Sequence, residues 1–333
     1  MADPGRQDEL ERFGFTVVPL FATDRVAELR RIQSTMGPAP DDPKLALNWS
    51  FHSRSREHKD AVQALRPLLE PALDAVLTDQ VVYLTTFITK WPGPHGAFPP
   101  HQDPTLVDER RFTGVTVWAP LDDVGAENGM LHVVPGSHRF SDAVRGQDVD
   151  RSPFADLDQA VIERHGRGVP LAAGEAMVFD NRLLHYSLPN VTEEPRVVLS
   201  FGVRPQAARC VVVLPGADGT DLMHEVDDDF YVDVLPATRD RWAPQGPAMA
   251  AVDRPAASWT PADLATRCEQ VGPAPRAVEV DRADLLPHAL DTGVFCALCG
   301  SSDGLSAADR SGRENAQLRC PSCVAALEAE VAR

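Results

Sequence analysis

Two groups of residues in this 333-residue chain have types and spacings that could do chemistry. The first is His101-Gln102-Asp103, with His185 far downstream. On an extended strand, positions 101 and 103 project to the same side. An imidazole and a carboxylate can then face one ion, and His185 can approach from a neighbouring strand or its end. Two neutral imidazoles and one hard carboxylate oxygen form a facial set that suits non-haem Fe(II) and leaves positions open for a cosubstrate and O2. A His-x-Asp pair also arises by chance, and His185 could equally be a hydrogen-bonded structural histidine, so spacing alone leaves both readings open. The second group is Cys296-x2-Cys299 with Cys320-x2-Cys323. Each pair can hold one side of a tetrahedral ion, with polar residues 300–319 as the loop between, and four thiolates fit a closed structural Zn(II) site. The same thiolates could take iron or an iron–sulfur cluster, or form two disulfides.

The rest of the sequence bounds what could position these residues. Apolar residues make up 43% of the chain and charged residues 24%, with 29 prolines and 22 glycines, which describes a sizeable core with many turns. The formal charge of -17 offers poor attraction for nucleic acid or an anionic membrane. The N-terminal MADPGRQDELERFGF has no basic region followed by an apolar run, and no stretch approaches the ~18 apolar residues that span a bilayer. A cytoplasmic protein is expected, in which metal binding suits the paired cysteines better than a disulfide framework.

Element signals run in a definite order. DELERFGFTVVPLF predicts a short helix leading into a strand, and a helix follows over 25–33 with Asp24 at its start. Residues 38–50 read as a Pro- and Asp-rich loop. Val62, Leu65, Leu69, Leu73 and Val76 recur at helical spacing, with Pro67 and Pro71 placed to bend or break that run. Strand signals then fall on VVYLTTFIT from Val81, on Thr113 to Trp118, Leu131 to Val134, Ala176 to Phe179, Val197 to Val203 and Cys210 to Leu214, with a helix at about 155–163. Helices followed by many short strands lack the alternation of a doubly wound fold. They predict a mainly β protein with flanking helices, its two antiparallel sheets closed into a jelly roll. Residues 1–240 are expected to form this domain and 241–290 a linker and helical arm. Residues 291–333 would form the small four-cysteine module. Cys210 is expected to be buried in a strand, and Cys268 to lie on a helix in PADLATRCEQ.

Several pieces in order resemble the phytanoyl-CoA dioxygenase-like family of Fe(II)/2-oxoglutarate oxygenases. They are Lys90-Trp91-Pro92-Gly93, His101-Gln102-Asp103, Val117-Trp118-Ala119-Pro120-Leu121-Asp122-Asp123, Glu127-Asn128-Gly129-Met130-Leu131, Val134-Pro135-Gly136-Ser137-His138, Gly174-Glu175 through Phe179, His185, Ser187, Pro189-Asn190 and Arg196. The resemblance covers roughly residues 10–210 and implies a double-stranded β-helix, the cupin-like jelly-roll variant. It assigns His101, Asp103 and His185 as iron ligands and Arg196 as the residue that binds the distal carboxylate of 2-oxoglutarate. A guanidinium, always charged and able to pair bidentately, is chemically apt for that task. Its alternative is a surface ion pair with Glu193 or Glu194. Trp118 could line the cosubstrate pocket or pack in the core. Tyr83, Thr85, Thr89 and Thr116 could donate hydroxyl hydrogen bonds to the cosubstrate, and Asn181 and Arg182 are candidates for substrate contact. His138 is structural or close to substrate, and Gly129 serves a turn.

The resemblance implies oxidation of a small molecule, free or carrier-bound, with O2 consumed and 2-oxoglutarate decarboxylated to succinate and CO2. Hydroxylation is favoured. Related halogenases generally replace the carboxylate with a small residue, whereas this chain retains Asp103; desaturation, epoxidation and cyclisation share the same opening chemistry. The alternative is a cupin-like metal-binding or isomerising protein without oxygenase activity. The cysteine module is expected to stabilise, to cover substrate or to dock a protein. Elemental analysis should find one non-exchangeable zinc per chain, and a Cys296→Ser/Cys299→Ser variant should lose it and become cleavable by protease beyond about residue 290. Metal-free parent protein with the same protease resistance rules the zinc site out.

Overall fold

The computed structural model describes residues 1–36, 47–50, 53, 55–93, 96–146, 153, 154, 157, 159–216, 220–233, 246–252 and 259–280. Cys296, Cys299, Cys320 and Cys323, and with them the expected zinc module, lie outside the described residues. The chain opens with α1 (Pro4–Phe13), whose N-terminus is capped by the Asp3 side chain accepting from Arg6 N, followed by β1 (Phe15–Pro19) and α2 (Thr23–Met36). After β2 (Leu47–Trp49), the helical run divides into α3 (Arg56–Gln63) and α4 (Arg66–Asp74). Pro67 stands in the first turn of α4, where its missing N–H costs no hydrogen bond, while Pro71 is accommodated inside that helix.

The strands β3 (Gln80–Lys90), β4 (Phe98–His101), β5 (Val115–Pro120) and β6 (Leu131–Val133) come next. Then follow α5 (Gln159–Arg164), β7 (Arg167–Gly168), β8 (Glu175–Asp180), β9 (His185–Ser187) and β10 (Arg196–Pro205). The chain continues through β11 (Cys210–Pro215), β12 (Asp221–Val226), α6 (Phe230–Asp233), β13 (Ala248–Val252) and α7 (Pro261–Val271). β13 arises within the stretch expected to be a linker and pairs with β12. No helix among the described residues is long and apolar enough to cross a membrane.

The expected closure into a double-stranded β-helix, a jelly-roll or cupin-like barrel, is not what forms. Among the described residues the strands make three separate sheets, none closed into a barrel, in a mixed α/β arrangement. The six-stranded sheet runs β1-β8-β5-β10-β3-β2, the four-stranded sheet β4-β9-β6-β7 and the three-stranded sheet β11-β12-β13. A barrel needs one hydrogen-bonded ladder continuing from edge to edge. Here β4, β9, β6 and β7, each of two to four residues, pair among themselves instead of extending the large sheet. The sequence pattern located most of these strands but could not say which ladders would join.

Period-two alternation gives the large sheet two different faces. Val115, Val117 and Ala119 of β5, Ala176 and Val178 of β8, and Leu199 and Phe201 of β10 share a core with Leu29, Val62, Leu69 and Leu73 of the helices. The alternate residues Trp118, Met177, Phe179 and Val198 pack with Leu131 and Val133 of the small sheet. Thr116, Lys90 and Arg196 have the parity of this second face. Gly129 closes the turn before β6 at φ +78°, and a Cβ there would stand 2.8 Å from the Leu188 carbonyl oxygen and 2.6 Å from Lys90 Cδ. Gly129→Ala should therefore cost about 1–3 kcal/mol. Gly125→Ala, with nothing within 4 Å, should stay within about 0.5 kcal/mol of the parent. Urea denaturation midpoints of the two variants check this contrast.

Candidate active site

β4 and β9 pair antiparallel with His101 directly opposite His185, so the two imidazoles project from adjoining strands on one side of the small sheet. Their ring centres are 4.1 Å apart. His101 Nδ1 lies 2.9 Å from the Pro99 carbonyl oxygen, and His185 Nδ1 lies 2.9 Å from that of Leu183. A carbonyl only accepts, so each Nδ1 carries the proton and each Nε2 keeps a lone pair. Both Nε2 atoms are 3.8 Å from Asp103 Oδ1. The three ligand atoms all lie within 4.8 Å of one another. Burial, and then the neighbouring His185, hold the His101 pKa well below the usual imidazole range, which keeps the ring neutral and able to ligate. Two oriented imidazoles and one carboxylate oxygen fit a 2-His-1-carboxylate metal site, and the carbonyls on Nδ1 are the outer partners that such ligands need.

Asp103 was expected on the same strand as His101. In fact β4 ends at His101, and Asp103 is placed by the chain that follows. Buried Arg145 donates from Nε to the Asp103 carbonyl oxygen at 2.7 Å and from Nη2 to Glu109 Oε1 at 2.5 Å. Gln102 faces away, its Nε2 donating to the Arg182 carbonyl oxygen. Phe98 stands edge-on to His101 at 4.4 Å, and Trp49 edge-on to Phe98 at 5.3 Å. Phe179 lies 4.9 Å from the His185 ring.

A second polar centre is built by β3 and β10, where Arg196 and Lys90 are register partners and so share a face. Arg196 is 3% exposed, and among the described residues its Nε and Nη1 have no hydrogen-bond partner. Its guanidinium carbon sits 5.1 Å from the centre of the Trp118 ring, an arrangement that orients the cation without neutralising it. Among the described residues no carboxylate forms an ion pair with it. Burial brings its pKa down to about 9, against the opposing effect of Asp122. Lys90 is 0% exposed and donates from Nζ to Ser187 Oγ at 2.7 Å and to the Leu188 carbonyl oxygen at 2.6 Å. Burial and then Arg196 hold the Lys90 pKa well below the usual lysine range. Two buried cations facing one another are costly unless an anion joins them. Unpartnered donors beside Trp118 fit a carboxylate, such as the distal one of 2-oxoglutarate.

Other expected residues take different places. Thr116 Oγ1 is 3.1 Å from Asp103 Oδ2 and 3.1 Å from Asn181 Oδ1, so it serves the carboxylate. Thr89 has the parity of Phe87, on the helix-covered face, opposite to Lys90 and Ile88. Thr85 is also buried, and its backbone N–H donates to Gln63 Oε1 at 3.0 Å. Tyr83 is buried with its hydroxyl towards Asn181. Arg182 is held by Asp180 at 2.9 and 2.6 Å. His138 is structural, its Nε2 lying 3.0 Å from the Glu11 carbonyl oxygen. Cys210 is buried in β11 and Cys268 is on α7. Sequence reasoning noted Lys90 and Ser187 within motifs but gave them no role, and it missed Arg145. A lysine ending an apolar strand, on the parity of Ile88, was the available signal for Lys90.

The phytanoyl-CoA dioxygenase (PhyH) family profile matches residues 10–198, and the chain belongs to that family. A phytanoyl-CoA dioxygenase domain-containing protein 1 of Danio rerio is 28% identical over 152 residues, 44% of this chain and 50% of that protein. A phytanoyl-CoA dioxygenase of Arabidopsis thaliana is 31% identical over 132 residues, 37% of this chain and 44% of that one. The chain thus spans about half the length of the curated relatives it matches. Among solved structures, EvdO2 of Micromonospora carbonacea var. aurantiaca, complexed with 2-oxoglutarate, is similar at 24% identity over 63% of this chain and 93% of that one, with a TM-score of 0.45. HygX of Streptomyces hygroscopicus, with nickel, 2-oxoglutarate and hygromycin B bound, is similar at 16% identity over 62% and 88%, also with a TM-score of 0.45.

If the two cations await an anion, removing one should not destabilise the ligand-free protein. Lys90→Met should leave its melting temperature unchanged or higher, because a buried charge is lost. The same substitution, and Arg196→Ala, should weaken 2-oxoglutarate binding in the presence of Ni(II) by about 10- to 100-fold, with little change in Ni(II) affinity. Arg196→Lys should not fully rescue, because it loses the planar fork. Calorimetric titration separates the two affinities, and unchanged 2-oxoglutarate binding moves the role elsewhere.

Proposed function

We propose that this chain is an Fe(II)- and 2-oxoglutarate-dependent dioxygenase that oxidises a small molecule, with hydroxylation the favoured outcome. The observation that carries the reading is the convergence of His101 Nε2 and His185 Nε2 on Asp103 Oδ1, with both Nδ1 protons held by backbone carbonyls. Iron with bound 2-oxoglutarate would supply the oxidising chemistry, O2 being consumed as the cosubstrate is converted to succinate and CO2. His101, Asp103 and His185 would hold the metal. Arg196 and Lys90 would take the distal carboxylate, Trp118 keeping the guanidinium in plane and Ser187 keeping the ammonium in reach. Both cations are buried, so their attraction for that carboxylate is little weakened by water. The rings of Phe98, Trp49 and Phe179 close apolar surface around the histidines and keep solvent from the reacting centre.

Retention of Asp103 supports hydroxylation over chlorination, since the carboxylate occupies the position a halide needs. A binding or isomerising protein would leave the Arg196–Lys90 pair without a task. The substrate class is an amino-acid-derived, acyl or specialised metabolite, free or carrier-bound. We further propose a cytoplasmic location, an oxygenase unit of about residues 1–240 followed by an arm over 241–290, and a zinc-bound module over 291–333 that could dock a protein.

Under anaerobic conditions Fe(II) and 2-oxoglutarate should bind together and give a weak visible charge-transfer band. His101→Ala, Asp103→Ala and His185→Ala should each cut substrate-coupled succinate formation by more than ~100-fold, a loss of about 3 kcal/mol or more of transition-state stabilisation. Screening succinate release across a panel of metabolites, with product masses, identifies the substrate. Near-normal coupled turnover in all three variants rules out the assignment.

A further inference from the structure

The Asp103 carboxylate has two oxygens with different surroundings. Oδ1 is the one facing both imidazoles, at 3.8 Å from each Nε2. Oδ2 faces the Thr116 hydroxyl at 3.1 Å. That hydroxyl has one proton but stands at 3.1 Å from a second oxygen, Asn181 Oδ1, which also only accepts. It cannot donate to both. Next to this conflict lie two buried groups without hydrogen-bond partners among the described residues, Asn181 Nδ2 and Tyr83 Oη. Asn181 is 1% exposed, and it is the side chain that faces the Tyr83 hydroxyl.

One rearrangement resolves the conflict at Thr116. Exchanging the amide oxygen and nitrogen of Asn181, which have the same shape, places Nδ2 on Thr116 and the oxygen towards Tyr83. Tyr83 Oη–H then donates to Asn181 Oδ1, Asn181 Nδ2–H donates to Thr116 Oγ1, and Thr116 Oγ1–H is left to donate to Asp103 Oδ2. The conflict at Thr116 and the orphaned Asn181 Nδ2 vanish together, as expected of buried polar atoms.

The fold is shaped locally to deliver Tyr83 to this place. In the β3–β10 ladder, Gly202 pairs with Leu84 and Val203 with Val82, so Tyr83 is the extra residue of a bulge. Val82 and Phe87 have opposite parity, yet both pack in the helix-side core, which shows that the strand changes phase across the bulge. Tyr83 is thereby turned out of the core shared with α1 to α4, and its ring packs with Cys210, Val212 and Tyr231. Opposite it, a Cβ on residue 202 would lie 2.5 Å from the Tyr83 ring, so glycine is what lets the ring lie there.

We infer that Tyr83, Asn181 and Thr116 form a directed hydrogen-bond chain that positions Asp103 to offer a metal one oxygen only. With Oδ2 held by Thr116, the carboxylate ligates through Oδ1 and leaves an adjacent coordination position for cosubstrate or O2. A free Oδ2 could close on the same ion and fill it. The inference rests on the proposed metal site, and its members are positioning residues, none of which needs to touch substrate.

Co(II), added anaerobically as the sole metal, is a suitable probe, because its d–d absorption intensity falls as coordination number rises. Thr116→Val keeps the β-branched shape and removes the hydroxyl. It should weaken Co(II) binding about 10- to 100-fold and lower the d–d intensity. Thr116→Ser should restore both, to within about 3-fold in affinity. Tyr83→Phe, remote from the metal, should shift both readouts in the same direction by less, and carries the test if Thr116→Val does not fold. Parent-like affinity and spectrum in Thr116→Val overturn the inference. So does a Thr116→Ser variant as impaired as Thr116→Val, which would point to packing, or a Tyr83→Phe variant indistinguishable from the parent. His101→Ala serves as the separate control: if it binds Co(II) as the parent does, the metal site itself is what fails.

Discussion

The site depends on one backbone pairing, that of His101 with His185 across β4 and β9. These two positions lie far apart in the chain. Once opposed in an antiparallel ladder, their side chains must emerge on the same side a few ångströms apart. The carbonyls of Pro99 and Leu183, each two residues before its histidine, then fix both tautomers the same way. Ligand direction and ligand protonation thus both follow from local backbone geometry. Asp103 alone needs further support, and it receives that support from Arg145 at its carbonyl and from Thr116 at its carboxylate.

The large sheet contributes through its alternation. Its helix-side residues are aliphatic and aromatic throughout the centre, and they anchor α1 to α4. That burial fixes the phase of β3, β5 and β10, and phase decides that Lys90, Thr116, Trp118 and Arg196 point the other way. A fully buried lysine beside a buried arginine opposes folding on electrostatic grounds. The aliphatic packing that surrounds them is what tolerates it, so stability in one face of the sheet sustains an anion-seeking centre on the other. Among the described residues of the large sheet, the phase is broken at the Tyr83 bulge, which falls beside the Asp103 surroundings.

The metal-ligand types, their hard and neutral character, and most helices and long strands were determined by the sequence itself. His101, Asp103 and His185 could be singled out because few residue types ligate Fe(II), and β3, β8 and β10 because β-branched and aromatic runs have few alternatives. Arg196 was recognisable by its place at the head of an apolar strand. Tertiary structure alone decided the rest. Strand pairing is non-local, so residue pattern could not show that the ladders form three separate sheets with no barrel, that β13 joins β12, or that His101 faces His185 directly. Nor could it show that Thr116 serves Asp103 while Thr89 faces the helices. A hydroxyl's role depends on strand phase, and phase is fixed only when one face is buried. Lys90 makes the same point most plainly: in sequence it is a lysine at a strand end, and only its register partnership with Arg196 in a dry interior makes it half of a buried cationic pair.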